Sequence, residues 1–119
     1  MKKQIRIGIG EATATARGFV DAWKRAEQGE KSQAEHRLVF EDLETLIKTL
    51  TSARWVLLKT LRTNGPMSVR SLAIQLGRDY KNVHTDVRRL EQLGLIRHTI
   101  DEKVEVPWDV VEAQLKLAA

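Results

Sequence analysis

Residues 68–96 read SVRSLAIQLGRDYKNVHTDVRRLEQLGLI. This stretch contains two helix starts, because Ser68 and Asp79 both have side chains that favour the N-cap position. Gly77 lies just before the second start, where glycine commonly ends a helix, and Gly94 follows in the same role. The stretch therefore predicts a short helix, a tight turn and a longer second helix.

The second helix, predicted over residues 79–93, has one apolar side and one polar side. Its apolar residues recur at steps of four and three and predict a buried stripe: Val83, Val87 and Leu90. The polar side carries four candidate base-reading residues: Lys81, Asn82, Thr85 and Arg88. In the major groove of DNA, Asn can pair with adenine, Lys or Arg with guanine, and Thr can touch the methyl group of thymine. An ordinary solvated helix face is the alternative interpretation.

A second group of polar residues is expected to contact the phosphates of DNA, which positions a protein without reading the bases. These residues lie in the first helix, in the turn, along the second helix and in the segment after it: Arg70, Ser71, Arg78, Tyr80, His84, Arg89, Arg97 and Lys103. A packing role for Tyr80 is equally open, since this residue lies beside the predicted buried stripe.

The segments on either side of residues 68–96 contain further predicted helices and strands. Apolar spacing predicts a helix over 42–50 and another that ends at 64–66. Two strand-like runs, 95–100 and 103–106, then predict a hairpin. Its tip is acidic and would be repelled by DNA, so the sequence leaves contact between the hairpin and DNA open. The order helix, helix, turn, helix, hairpin over 42–106 is that of a winged helix-turn-helix.

Three further predicted elements of secondary structure precede residue 42. Residues 3–9 alternate between polar and apolar and predict a half-buried strand. Apolar residues at helical steps predict a helix over 11–28, and residues 36–40 predict a short strand. A strand-helix-strand region of this size buries too little apolar surface to fold alone. We therefore expect it to pack on the rest of the chain or on a second copy.

The predicted fold class is mainly α with small β, that is α+β. It comprises a winged helix-turn-helix DNA-binding domain over 41–107, an N-terminal strand-helix-strand extension over 1–40 and a tail over 108–119 that fits either a strand or a helix. Helix-turn-helix proteins usually read paired half-sites as symmetric dimers. We therefore expect a homodimer formed mainly by residues 1–40, with a tail strand over 112–117 as a further contact.

Charge and residue composition indicate which partners, cofactors and location the protein is expected to have. The net charge is +4, and residues 51–100 carry nine Lys and Arg against three Asp and Glu, which favours a polyanionic partner. The chain has no cysteine, its three histidines lack metal-ligand spacing, and no P-loop or nucleophile–base pair is found. We expect no cofactor, no metal and no enzyme activity. No apolar run is long enough to span a membrane, so a soluble cytoplasmic protein is expected.

Leu72-Ala73, Gly77 and the run RRLEQLGLI over 88–96 carry a resemblance to a known group of proteins. In this spacing they resemble the winged-helix regulators of the multiple-antibiotic-resistance repressor type. The resemblance implies a transcription regulator that binds double-stranded DNA.

A narrower resemblance lies in FEDLE over 40–44, LGRDYKNVHTDV over 76–87 and VPWD over 106–109. These runs are similar to a family of small predicted prokaryotic transcriptional regulators, whose members are often encoded beside a small toxin and act as its antitoxin. The resemblance covers 37–109 and is most specific over 76–96.

Together these patterns lead to two hypotheses on function. The first is a sequence-specific repressor of its own toxin–antitoxin operon, which binds a palindromic operator as a homodimer and holds a cognate toxin through its N-terminal region or tail. The second is a protein-interaction module that neutralises a partner toxin without binding DNA.

Overall fold

The computed structural model describes residues 2–10, 36–115 and 117. Its helices are α1 (Leu43–Thr49), α2 (Ser52–Asn64), α3 (Val69–Leu76) and α4 (Tyr80–Gln92). Its strands are β1 (Gln4–Ile9), β2 (His36–Phe40), β3 (Arg97–His98), β4 (Val104–Glu105) and β5 (Val110–Gln114). The fold is of the α+β class. The helix predicted over 11–28 lies outside the described residues.

The described residues divide into two units, one made by Leu50–Asp109 with the chain up to Lys3, and the other by the described parts of 4–49 and 110–119. The second unit contains a three-stranded sheet in the order β2-β1-β5, in which both neighbours run parallel to β1. β1 alternates as predicted at Ile5 and Ile7, which are buried, but Ile9, predicted on the same side, is 39% exposed. The sequence left the tail open between strand and helix, and the structure contains strand β5 there.

The first unit contains α2, α3, α4 and the antiparallel pair β3–β4, in which Arg97 is opposite Glu105 and His98 is opposite Val104. A short bridge between Met67 and Val104 extends this pair on its other side. The hairpin predicted from the sequence is therefore confirmed, with shorter strands than expected. The buried core of the unit is apolar: Leu50, Leu57, Leu58, Leu61, Leu72, Ala73, Val83, Val87, Leu90, Leu95, Ile96, Val104 and Val106.

Side-chain caps fix the starts of the helices in this unit. The Thr51 hydroxyl accepts a hydrogen bond from the backbone N–H of Arg54 at the start of α2. The Ser68 hydroxyl caps α3 and a carboxylate oxygen of Asp79 caps α4, as predicted. The same kind of local bond therefore sets where each helix begins.

Gly77 ends α3 in the left-handed conformation, with φ 65° and ψ 33°. Its N–H donates to the carbonyl of Ile74, and the N–H of Arg78 donates to the carbonyl of Ala73, which is the Schellman arrangement. The chain thus reverses within two residues before Asp79 starts α4.

Asp109 joins the end of the first unit to its beginning. The backbone N–H of Lys3 donates to Asp109 Oδ2 over 2.8 Å, the N–H of Asp109 donates back to the Lys3 carbonyl, and Arg62 also bonds this carboxylate. The hydrogen bond from Lys3 holds the pKa of Asp109 below its usual 3.8, and Arg62 acts in the same direction.

In the described ranges, no helix is long and apolar enough to cross a membrane.

Candidate nucleic-acid interface

Helix α4 separates buried from exposed side chains sharply. Val83, Val87 and Leu90 are at most 2% exposed, which confirms the predicted stripe. The four candidate base-reading residues are all exposed and lie together on the opposite side of the helix: Lys81, Asn82, Thr85 and Arg88. The Thr85 hydroxyl donates to the carbonyl of Lys81 over 2.9 Å, so the donor of this side chain is already in use within the helix.

The carboxylates of α4 and of its cap lie away from this exposed side. Asp79 accepts the N–H of Asn82 at the helix start, Asp86 bonds two arginines on the flank, and Glu91 bonds the His98 ring. In the described part of the chain, Lys81 and Arg88 have no carboxylate within ion-pair distance. The exposed side of α4 therefore presents cations and polar groups without a neutralising acid.

An aromatic and cationic cluster adjoins this side at the start of α4. The guanidinium carbon of Arg70, which belongs to α3, lies 5.6 Å from the centre of the Tyr80 ring. The centre of the His84 ring lies 5.7 Å from that of Tyr80, with the planes tilted by 38°. Tyr80 remains 44% exposed, and Arg70 is exposed as well. Both the ring and the guanidinium group are therefore open to a ligand. Three of the predicted phosphate-contacting residues thus lie together.

Ser71 and Arg89 flank this region and are exposed. The Ser71 hydroxyl accepts a hydrogen bond from the Ser68 hydroxyl over 2.9 Å. Arg89 donates to the Gln92 side chain over 3.3 Å, a long hydrogen bond that leaves most of its donors for other partners.

Arg78 differs from the other predicted phosphate ligands, because its side chain is turned toward α4. Its Nη2 lies 2.9 Å from Asp86 Oδ2, while Arg54 Nε lies 3.1 Å from Asp86 Oδ1. Neither Arg54 nor Asp86 is among the residues predicted from the sequence. No local spacing relates a residue in α2 to one in α4, although an acid on the flank of an otherwise basic helix was visible in the sequence.

In the hairpin, unlike on the exposed side of α4, basic side chains are paired with carboxylates. Arg97 Nε is 2.7 Å from Glu105 Oε1, and His98 is bonded to Glu91. Lys103 is exposed, next to the acidic tip where Glu102 has a positive φ of 61°. Of the predicted phosphate ligands in this segment, Arg97 is thus already ion-paired and Lys103 adjoins acidic residues.

No curated protein and no solved structure matches this chain. The model of the HVO_A0114 family matches residues 49–113, which is more than half of the 119-residue chain and includes all four base-reading candidates. The chain therefore belongs to the HVO_A0114 family.

Proposed function

We propose that the protein is a sequence-specific DNA-binding transcription regulator of the winged helix-turn-helix type, with α4 as the helix that enters the major groove. The order α2, α3, α4 and hairpin, with the tight turn at Gly77, supports this type. In such a domain α3 lies across the DNA backbone and holds α4 against the base edges.

The observation that carries the proposal is the composition of the exposed side of α4. It combines two cations, Lys81 and Arg88, with the amide of Asn82, while each carboxylate of the helix is engaged elsewhere. Cations favour the phosphate-lined groove, and Arg or Lys and Asn have the donor patterns that read guanine and adenine. A helix face that served only solubility would have no reason to keep its acids off this side.

Phosphate contacts are assigned to residues that remain available around this helix. Arg70 and His84 beside the Tyr80 ring, together with Ser71 and Arg89, fit that role. Arg78, Arg97 and Lys103 are weaker candidates. The first two already bond carboxylates, and the third adjoins the acidic hairpin tip.

We further propose that the regulator acts in the cytoplasm as a homodimer on a palindromic operator and represses its own operon as the antitoxin of a toxin–antitoxin pair. The dimer follows from the usual pairing of half-sites in helix-turn-helix recognition. The antitoxin role rests on the resemblance of residues 37–109 to small prokaryotic regulators.

The direct experiment is a gel-shift and footprinting assay with the promoter upstream of the protein's own gene. The proposal requires a protected palindromic site and a clear preference over a shuffled duplex of the same composition. Arg88→Ala should reduce that preference, whereas Lys48→Ala is the matched control, since Lys48 lies on α1 and pairs with Glu44. A protein that only neutralises a toxin would give no footprint at any concentration at which it is folded.

A further inference from the structure

Among the residues that the structure describes, Asp86 is the single carboxylate that joins α4 to two other segments of the first unit. We propose that Asp86 is a positioning residue, which sets the orientation of α4 through Arg54 and Arg78 and thereby determines how well the protein distinguishes its operator from other DNA. This inference rests on the proposed function and names a determinant of its specificity.

The two oxygens of the Asp86 carboxylate are used separately. Oδ1 accepts from Arg54 Nε over 3.1 Å, and Oδ2 accepts from Arg78 Nη2 over 2.9 Å. The Asp86 side chain is only 14% exposed and that of Arg54 17% exposed, so water screens this contact much less than it screens the surface pairs. Because each oxygen has its own donor, the carboxylate has little freedom to rotate.

The two arginines come from segments whose backbones are themselves fixed. Arg54 lies in the first turn of α2, where its N–H is held by the Thr51 cap. Arg78 follows Gly77, and its N–H is bonded to the carbonyl of Ala73 at the end of α3. Asp86 therefore links α4 to the start of α2 and to the end of α3 at the same point.

The position of Asp86 on α4 explains why this link affects DNA reading. It is on the flank of the helix, between the buried stripe and the exposed side that carries Thr85 and Arg88. Rotation of α4 about its axis would break both bonds and would move Thr85 and Arg88 relative to the groove. The buried stripe is made of small and branched apolar groups, Val83, Val87 and Leu90, which are less directional than charged hydrogen bonds.

Charge and positioning predict different effects when this carboxylate is removed. Neutralising Asp86 makes the helix more positive, which by charge alone strengthens binding to any duplex. A positioning role instead predicts weaker discrimination between operator and random DNA. The ratio of the two affinities therefore separates the two roles, and loss of folding would lower both affinities together.

The test compares Asp86→Asn with Glu91→Gln in the full-length protein. Both changes remove one negative charge from α4, but Glu91 bonds only the hairpin histidine among the contacts described. Affinities for the promoter fragment and for a shuffled duplex are measured by fluorescence anisotropy, with thermal unfolding followed in parallel. We expect the promoter-to-shuffled ratio to fall about tenfold in Asp86→Asn, equivalent to one lost base contact, and to stay unchanged in Glu91→Gln.

A second variant, Arg54→Gln, keeps the proposal testable if Asp86→Asn fails to fold. Arg54→Gln should lower the same ratio, and the double variant should lose no more discrimination than the single ones, because all of them break one network. A folded Asp86→Asn or Arg54→Gln variant that keeps the ratio within about twofold of the wild type would overturn the positioning role. Failure of the wild type itself to prefer the promoter would instead overturn the proposed function.

Discussion

Val87 and Arg88 are consecutive residues of α4, yet the side chain of Val87 is 2% exposed and that of Arg88 is exposed to solvent. One residue packs in the core of the first unit, and its neighbour belongs to the proposed DNA-reading side. Folding and DNA binding can therefore be tested separately within a single turn of helix.

Arg88→Ala should weaken operator binding by about 1–3 kcal/mol and change the free energy of unfolding by less than about 0.5 kcal/mol, because it removes an exposed group. Val87→Ala is the matched control: it should cost about 1–3 kcal/mol of stability and lower DNA affinity only as folded protein is lost. Chemical denaturation and anisotropy measure the two quantities. The assignment of the two sides of α4 is wrong if Arg88→Ala unfolds the protein and Val87→Ala does not.

Binding to the operator should weaken steeply as salt is added. Each phosphate contact releases counterions and adds roughly 0.9 to the slope of log affinity against log salt, so a dimer with about three contacts per subunit should give a slope near −5. The cations expected to displace counterions are Arg70 and Arg89 at the phosphates and Arg88 in the groove. A slope shallower than about −2 would contradict the proposed interface.

Tyr80 should act on DNA binding through its ring rather than through its hydroxyl. The ring supports Arg70 by a cation–π contact, which phenylalanine preserves. Tyr80→Phe should therefore bind the operator almost as the wild type does, whereas Tyr80→Ala and Arg70→Ala should weaken binding to a similar extent. Equal loss in Tyr80→Phe and Tyr80→Ala would show that the phenol itself contacts DNA.

Gly77→Ala should destabilise the protein through backbone conformation alone. The φ of Gly77 is +65°, but an added Cβ would meet no atom within 4 Å, so the expected cost is the roughly 1–2 kcal/mol of a left-handed non-glycine residue. Gly77→Asn should cost less, because asparagine tolerates this conformation. Gly8→Ala is the control, since its Cβ would lie at an ordinary 3.8 Å from the Gln114 carbonyl and no left-handed φ is required there. Equal losses in Gly77→Ala and Gly8→Ala would contradict this explanation.

Asp109 should contribute stability at neutral pH that is lost in acid. Its pKa is held below 3.8 in the folded protein by the N–H of Lys3 and by Arg62, so ionised Asp109 favours the folded state above that value. As the pH falls from 3.8 through the lowered pKa, the folded state must take up the proton and the contribution disappears. Denaturant titrations should show the wild type more stable than Asp109→Asn at neutral pH and equal to it in strong acid. A difference that does not change with pH would exclude this role.

The sequence predicted the features that depend on neighbouring residues. The caps at Ser68 and Asp79, the turn at Gly77 and the stripe on α4 all arise from contacts within a few positions, and each was found where it was expected. The network around Asp86 could not be predicted, because Arg54 is 32 residues away and only packing brings the two together. The choice of strand for the tail was open for the same reason.

The three-stranded sheet places β1, the first of the described strands, between β2 and β5. Ribosomal synthesis runs from the N-terminus, so one side of β1 has no partner until Val110–Gln114 has left the ribosome, after all the residues of α2, α3 and α4. An unpaired strand edge is prone to pair with other chains. During translation the side of β1 that pairs with β5 is therefore exposed to this hazard until Val110–Gln114 emerges, whereas the partner of its other side, β2, is synthesised much earlier.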